Sequence, residues 1–206
     1  MKNQTKHQQT LKLVQIALMA AIVVVIQLFF ASIKIGPVTI SFSLVPIVLS
    51  GIFIGPTAGL AVGAVSGIVT FIQVLTSGDP FYVFLMANNP VATAIICFAK
   101  TTLAGWCSGL IFKAMRKITN MPTLGTILSA IACPTINTGI FCLGMLVFFT
   151  NAFQADATYA AASENIIYFV FIGLAGINFI FEVISTAVLT PIISKALFAA
   201  KIFKNK

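Results

Sequence analysis

Long apolar runs dominate this chain and constrain its fold more than any other feature. They extend from Leu11 to Ala31, Thr39 to Gly55, Thr57 to Thr76, Val91 to Phe112, Thr123 to Phe149 and Ile166 to Leu189. At 1.5 Å per residue, a helical run of about 20 residues covers the ~30 Å of hydrocarbon in a bilayer. A segment in lipid must satisfy its own backbone hydrogen bonds, which leaves helices or a closed barrel. Barrel strands alternate over ~10 residues, whereas these runs are continuous. The expected fold is all-α, an integral membrane bundle of six transmembrane helices. Composition agrees. The chain is 59% hydrophobic and 8% charged, against about 25% charge in an average soluble domain. Too few polar residues remain to make a water-facing exterior.

The net charge of +8 does not imply nucleic-acid binding, because the basic residues lie at the ends of the apolar runs. Ten of the twelve sit at Lys2, Lys6 and Lys12, at Lys113, Arg116 and Lys117, or at Lys195, Lys201, Lys204 and Lys206. The intervening loops hold Lys34 with Asp79, Asp156 and Glu164. Six crossings and the positive-inside rule then put both termini in the cytoplasm, with a basic loop from Lys113 to Pro122 on the same side. The expected organisation is a polar cytoplasmic tail over 1–10, a single six-helix domain over 11–200 and a basic tail over 201–206. The first run is too long for the apolar core of a cleavable signal peptide.

Several chemistries find no footing. The sequence has no phosphate-binding G-x-x-x-x-G-K-[ST] loop. Its one histidine, His7, lies in the polar tail, and no His/Cys cluster has metal-ligand spacing. No metal or cofactor is expected. Cys97, Cys107, Cys133 and Cys142 lie inside apolar runs and read as small buried side chains. Only Lys100 and Glu182 are charged deep within the spans, away from their ends, too few ionisable groups for an autonomous enzyme.

Charge at mid-membrane costs ~2.5–3.5 kcal/mol on translocon scales and commonly marks a site or pathway. Lys100 and Glu182 either pair with each other, with Lys100 also able to snorkel to an interface, or face a cavity and contact a ligand. Asn178 stands four residues before Glu182, on the same helical face. Asn137 lies mid-span between Thr135 and Thr138, and Gln73 lies near the end of the third run. Amides in hydrocarbon need partners, whether one another, backbone or a ligand. Asn88 and Asn89 precede Pro90 at a break in the apolar residues from Phe81, a place where non-helical backbone requires a protein or cavity lining. Gly59, Gly63 and Gly67 make a smooth face for close helix packing. Ala17, Ala20 and Ala21 make a similar patch on the first span, facing either inward or toward a partner helix.

Together these motifs resemble the substrate-binding S component of energy-coupling factor (ECF) vitamin transporters. The residues that carry the resemblance are Ala17-x-x-x-Ala21 behind a basic tail, the stretch from Gly36 to Pro46, and Gly51-Ile-Phe-Ile-Gly-Pro56 before the glycine ladder. Asn88-Asn89-Pro90, Lys100 with Leu103-Ala-Gly105, and Asn178-x-x-x-Glu182 complete it. The resemblance implies a multi-pass cell-membrane subunit that binds a water-soluble vitamin. It implies docking on a transmembrane coupling protein and two cytoplasmic ATPase subunits, with Ala17 and Ala21 on the docking face. It also implies gating loops near Lys34–Thr39, Gly78–Asn89 and Asn151–Asn165. The motifs look most like pantothenate-type members, then folate-type. Both vitamins carry a carboxylate that Lys100 could pair with. A flat cationic vitamin would require an aromatic cage drawn from Phe81, Tyr82, Phe84, Tyr159 or Tyr168. The expected ligand-binding set is Asn88, Asn89, Lys100, Asn137, Asn178, Glu182, Gln73 and Tyr82. The competing readings are a self-sufficient secondary transporter of a small polar solute, for which six helices without a repeat are few, and a ligand-free structural membrane protein.

Overall fold

A computed structural model of the chain describes residues 2–30, 34–35, 38–39, 41–119, 121–159 and 164–199. Five helices are long and apolar enough to cross a membrane, and a shorter apolar helix joins them. These are α1 (Lys2–Phe30), α3 (Pro56–Thr76), α5 (Pro90–Thr119), α6 (Pro122–Phe148) and α8 (Gly176–Ala199), with the short α2 spanning Leu44–Phe53. Two further helices, α4 (Pro80–Asn88) and α7 (Thr150–Ala155), lie at the end of the bundle opposite the basic residues. The result is the expected all-α membrane bundle. Its outer face carries large exposed apolar side chains such as Leu13, Phe29, Val91, Val147 and Ile192. Lipid covers such a surface without cost.

The second crossing differs most from expectation. Helix begins at Leu44 rather than near Thr39, and Val38–Thr39 instead pairs antiparallel with Lys34–Ile35. Pro46 accounts for the start. Proline is tolerated in a first turn, but it cannot donate to a preceding carbonyl and so opposes helix before it. Ten residues rise only ~15 Å, so α2 begins near mid-depth in the bundle. Every α2 residue except Phe53 is buried, so this broken backbone is enclosed by protein as a membrane requires. The chain reverses sharply after α2 at Gly55, whose φ of 125° favours glycine, and Pro56 starts α3.

Three smaller departures follow. The expected basic loop from Lys113 to Pro122 is largely helix, because α5 continues to Thr119 with Arg116 and Lys117 in its last turn. Cations there complement the helix dipole. The apolar residues from Phe81 form α4, capped by the Asp79 carboxylate, which accepts a hydrogen bond from Phe81 N–H at 2.9 Å. The last crossing starts with a helical turn at Ile166–Tyr168 and passes through a π-helical segment, Phe169–Leu174. There the Ala175 N–H donates to the Val170 carbonyl, five residues back.

The glycine ladder holds the centre together. A Cβ on Gly59 would strike the Gly105 carbonyl, one on Gly63 the Thr101 carbonyl, and one on Gly67 would lie 2.8 Å from Phe98 Cα. The pairing runs antiparallel, bringing the α3 and α5 backbones together. Gly51 faces Gly109, and Ile47 faces Gly105, so α2 runs parallel to α5 in the same contact.

Candidate functional site

Two adjoining hollows occupy the bundle and share Ser41, Lys100 and Phe141. The larger is also lined by Gln27, Ser43, Thr70, Gln73, Tyr82 and Thr93. Its atom-free space, open mouth included, is about 710 Å³. The smaller is lined by Asn137, Thr138, Asn178 and Glu182. Tertiary structure thus gathers six of the eight expected ligand-binding residues around one space: Gln73, Tyr82, Lys100, Asn137, Asn178 and Glu182.

Lys100 is the only lysine, arginine, aspartate or glutamate among the described residues of the larger hollow. It is half-buried, and its Nζ lies 5.3 Å from the centroid of the Phe141 ring. Such a position gives weak cation–π attraction. Glu182 is 4% exposed. Its Oε1 accepts a hydrogen bond from the Ser41 backbone N–H at 3.0 Å, and its Oε2 accepts from Thr138 Oγ1 at 3.4 Å. Among the described residues no salt bridge joins Lys100 to Glu182. The carboxylate instead ties the start of α2 to α6 and α8. Asn137 is buried, and its Oδ1 has no hydrogen-bond partner among the described residues.

The polar wall on the opposite side is built by α1 and α3. Gln27 Nε2 donates to Ser66 Oγ and Thr70 Oγ1, each at 3.0 Å, and Gln73 Nε2 donates to the Gln27 carbonyl at 3.0 Å.

Asn88 and Asn89 lie elsewhere and do not line either hollow. Asn88 Nδ2 donates to the Phe84 carbonyl at 2.9 Å, and Asn89 Oδ1 accepts from Ala92 N–H at 3.0 Å. They finish α4 and cap α5, so the break at Pro90 is a helix junction. The aromatic residues considered for a cage also separate. Phe81, Phe84, Tyr159 and Phe169 pack around the fully buried Phe153, with ring centroids 5.1–6.4 Å away. Tyr168 is exposed, and Tyr82 alone of the five candidates lines the hollow. The Phe153 cluster joins α4, α7 and the start of the last crossing above the cavity. Partial burial, followed by the Asp156 and Asp79 carboxylates, pushes the Tyr159 hydroxyl above its ordinary pKa.

The gating stretch at Lys34–Thr39 lies outside the residues whose side chains are described, as do 160–163 of the later loop. On α1, Ala17 and Ala21 are exposed and Ala20 is half-buried. The alanine patch faces outward rather than into the bundle. Sequence reasoning missed Gln27, Ser41, Ser43, Thr70, Thr93 and Thr138 as lining residues. Gln27 gave the clearest signal, an isolated amide between Ile16 and Phe30.

Comparison with known proteins agrees with this architecture. A family model described as "ECF transporter, substrate-specific component" matches residues 11–194. No curated protein matches the chain. Members of this family are transport subunits, not enzymes, and lie in the cell membrane with multiple passes. The match takes in every membrane-crossing helix and every residue around the two hollows, and the chain therefore belongs to the family of substrate-specific components of ECF transporters.

Proposed function

We propose that this subunit captures a small carboxylate-bearing vitamin from outside the cell and delivers it inward when docked on a coupling protein and ATPases. Pantothenate is the favoured substrate and folate the next. The carrying observation is Lys100, the only cation among the described residues of a hollow whose other polar groups are mostly neutral hydroxyls and amides. Pantothenate presents one carboxylate followed by amide and hydroxyl groups, a chemical match for that wall. Trp106 is exposed on the outer face, and most aromatic cage candidates are committed to one another, which speaks against a site built for a flat cation.

The basic ends of α1, α5 and α8 favour a cytoplasmic side that includes both termini. Residues 11–200 then act as one membrane domain flanked by polar segments at 1–10 and 201–206. Ala17 and Ala21, with Ala20 beside them, offer a small-residue face for close approach by a helix of the coupling protein.

The test is a thermal-shift screen of the purified protein against water-soluble vitamins. A ligand at 1,000 times its dissociation constant adds ~4 kcal/mol of stability, so pantothenate or folate should raise the melting temperature. Uptake should require coexpressed coupling and ATPase subunits. Uptake by the purified chain alone in liposomes would instead establish a self-sufficient transporter, and no shift with any vitamin would favour a ligand-free structural role.

A further inference from the structure

We infer that Ser43 and Lys100 together form a carboxylate subsite, so that the ligand lies with its carboxylate buried at mid-depth against the start of α2. This inference rests on the reading of the cavity as a vitamin site. It adds an orientation and a second recognition residue.

Ser43 is the N-cap residue of α2, yet its side chain makes no capping hydrogen bond. It is 1% exposed, lines the larger hollow, and its Oγ has no hydrogen-bond partner among the described residues. A buried hydroxyl without a partner is unusual in a native structure and calls for an explanation. The positive end of α2 lies at the same place, and helix N-termini favour anions.

Register puts Lys100 at this level. Ile47 packs on Gly105, and α2 runs parallel to α5. One helical turn earlier on each helix are Ser43 and Thr101, beside Lys100. The Lys100 ammonium has three donors and rests near the Phe141 ring, while the Glu182 oxygens are engaged by Ser41 and Thr138. A carboxylate between Lys100 and Ser43 would accept a hydrogen bond from each. Lys100 is the only cation among the described lining residues and the Glu182 carboxylate adjoins it, so a singly charged carboxylate fits better than a doubly charged phosphate. The neutral end of the ligand would then extend toward Gln73 and Thr93, near the far ends of α3 and α5.

The experiment compares pantothenate with pantothenol, its alcohol analogue, by calorimetry on the full chain and its variants. Wild-type protein should prefer pantothenate by about tenfold or more, the scale of a charge-assisted hydrogen bond. Ser43→Ala should weaken pantothenate binding about three- to tenfold, the worth of one hydrogen bond, and leave pantothenol unchanged. Ser43→Thr should retain pantothenate binding because it keeps the hydroxyl. Melting temperatures without ligand establish that the variants fold. Equal losses for both ligands, or no loss in Ser43→Ala, would overturn the subsite while leaving the vitamin reading intact. If another acidic vitamin binds instead, pantothenate is the wrong substrate, and the same variants with that acid and its primary amide decide the subsite. A bound neutral or cationic vitamin would overturn both the subsite and the carboxylate substrate class, and leave only the reading of the cavity as a vitamin site. Absence of any ligand would overturn that reading as well.

Discussion

The Ser41 backbone N–H donates a 3.0 Å hydrogen bond to Glu182 Oε1, across 141 positions of sequence. The bond fastens the segment leading into α2 to the middle of the last crossing. Glu182 also accepts from Thr138, so one carboxylate links three parts of the bundle beside the cavity. Glu182→Ala would leave the Ser41 N–H without its acceptor and should cost ~1–3 kcal/mol. Glu182→Gln keeps an acceptor and should lose less. Thermal melting checks the stability order, and hydrogen exchange over 41–43 checks whether this segment loosens. An unchanged melting temperature in Glu182→Ala would contradict the linkage.

Lys100→Met keeps an aliphatic stem and removes the charge. Binding of the carboxylate vitamin should weaken by about ten- to a hundredfold, the range for a hydrogen bond to a charged group. The unliganded protein should remain folded. Calorimetry with pantothenate measures the loss, and unchanged affinity would remove Lys100 from the site.

Gly63 meets the Thr101 carbonyl at the contact between α3 and α5. Gly63→Ala should force these helices apart and destabilise the protein by ~1–3 kcal/mol, the usual range for overpacking. Gly139, where a Cβ would meet nothing within 4 Å, supplies the control. Gly139→Ala should match or exceed wild-type stability, because alanine favours a helix interior by ~1 kcal/mol. Comparable losses at both positions in melting experiments would argue against close backbone packing as the reason for the ladder.

Ala17→Trp with Ala21→Trp should abolish copurification with the coupling protein and ATPases while vitamin binding persists. Both side chains face out of the bundle, so bulk there should obstruct a partner without entering the cavity. Retained assembly would place the docking surface elsewhere.

Asp156 gives a local dependence on pH. Hydrogen bonds from the Thr158 side chain and backbone hold its carboxyl below the ordinary carboxylate range, and the Thr158 N–H lies 2.8 Å from Oδ1. A lowered folded-state pKa means that this contribution is present above the unfolded value and is lost as pH falls through the folded one. Hydrogen exchange at 157–159 should therefore rise in acid beyond its intrinsic pH dependence. Asp156→Asn should flatten that response.

Much of the fold was legible because lipid imposes simple rules. Run length gave the crossings, and glycine spacing gave a packing face that the α3–α5 contact bears out. The late start of the second helix was not legible: Pro46 sits in its first turn, but Pro134 and Pro191 lie inside helices, and apolar character alone does not distinguish helix from an enclosed extended segment. The charged end of α5 read as a loop because basic residues mark a membrane boundary without marking where helix stops.

The cavity was legible only in part. Lys100, Asn137, Asn178 and Glu182 stand out because polar groups are costly in hydrocarbon, and that cost is visible one residue at a time. Their arrangement is not. Asn88 and Asn89 carry the same amides, yet they cap helices, because local backbone donors and acceptors lay within reach. Ser43 gave no sign, since a serine among apolar residues ordinarily bonds its own helix.

The sequence by itself determined that the chain lies in a membrane, that it is helical and that few charges lie within its core. Tertiary structure decided that Glu182 holds Ser41 rather than Lys100, that Ala17 and Ala21 face outward, and that Ser43 and Lys100 share a level. Those outcomes depend on register between helices far apart in sequence. Register is set by the whole packed bundle, above all by the close contact of Gly59, Gly63 and Gly67 with α5, and no single run encodes it.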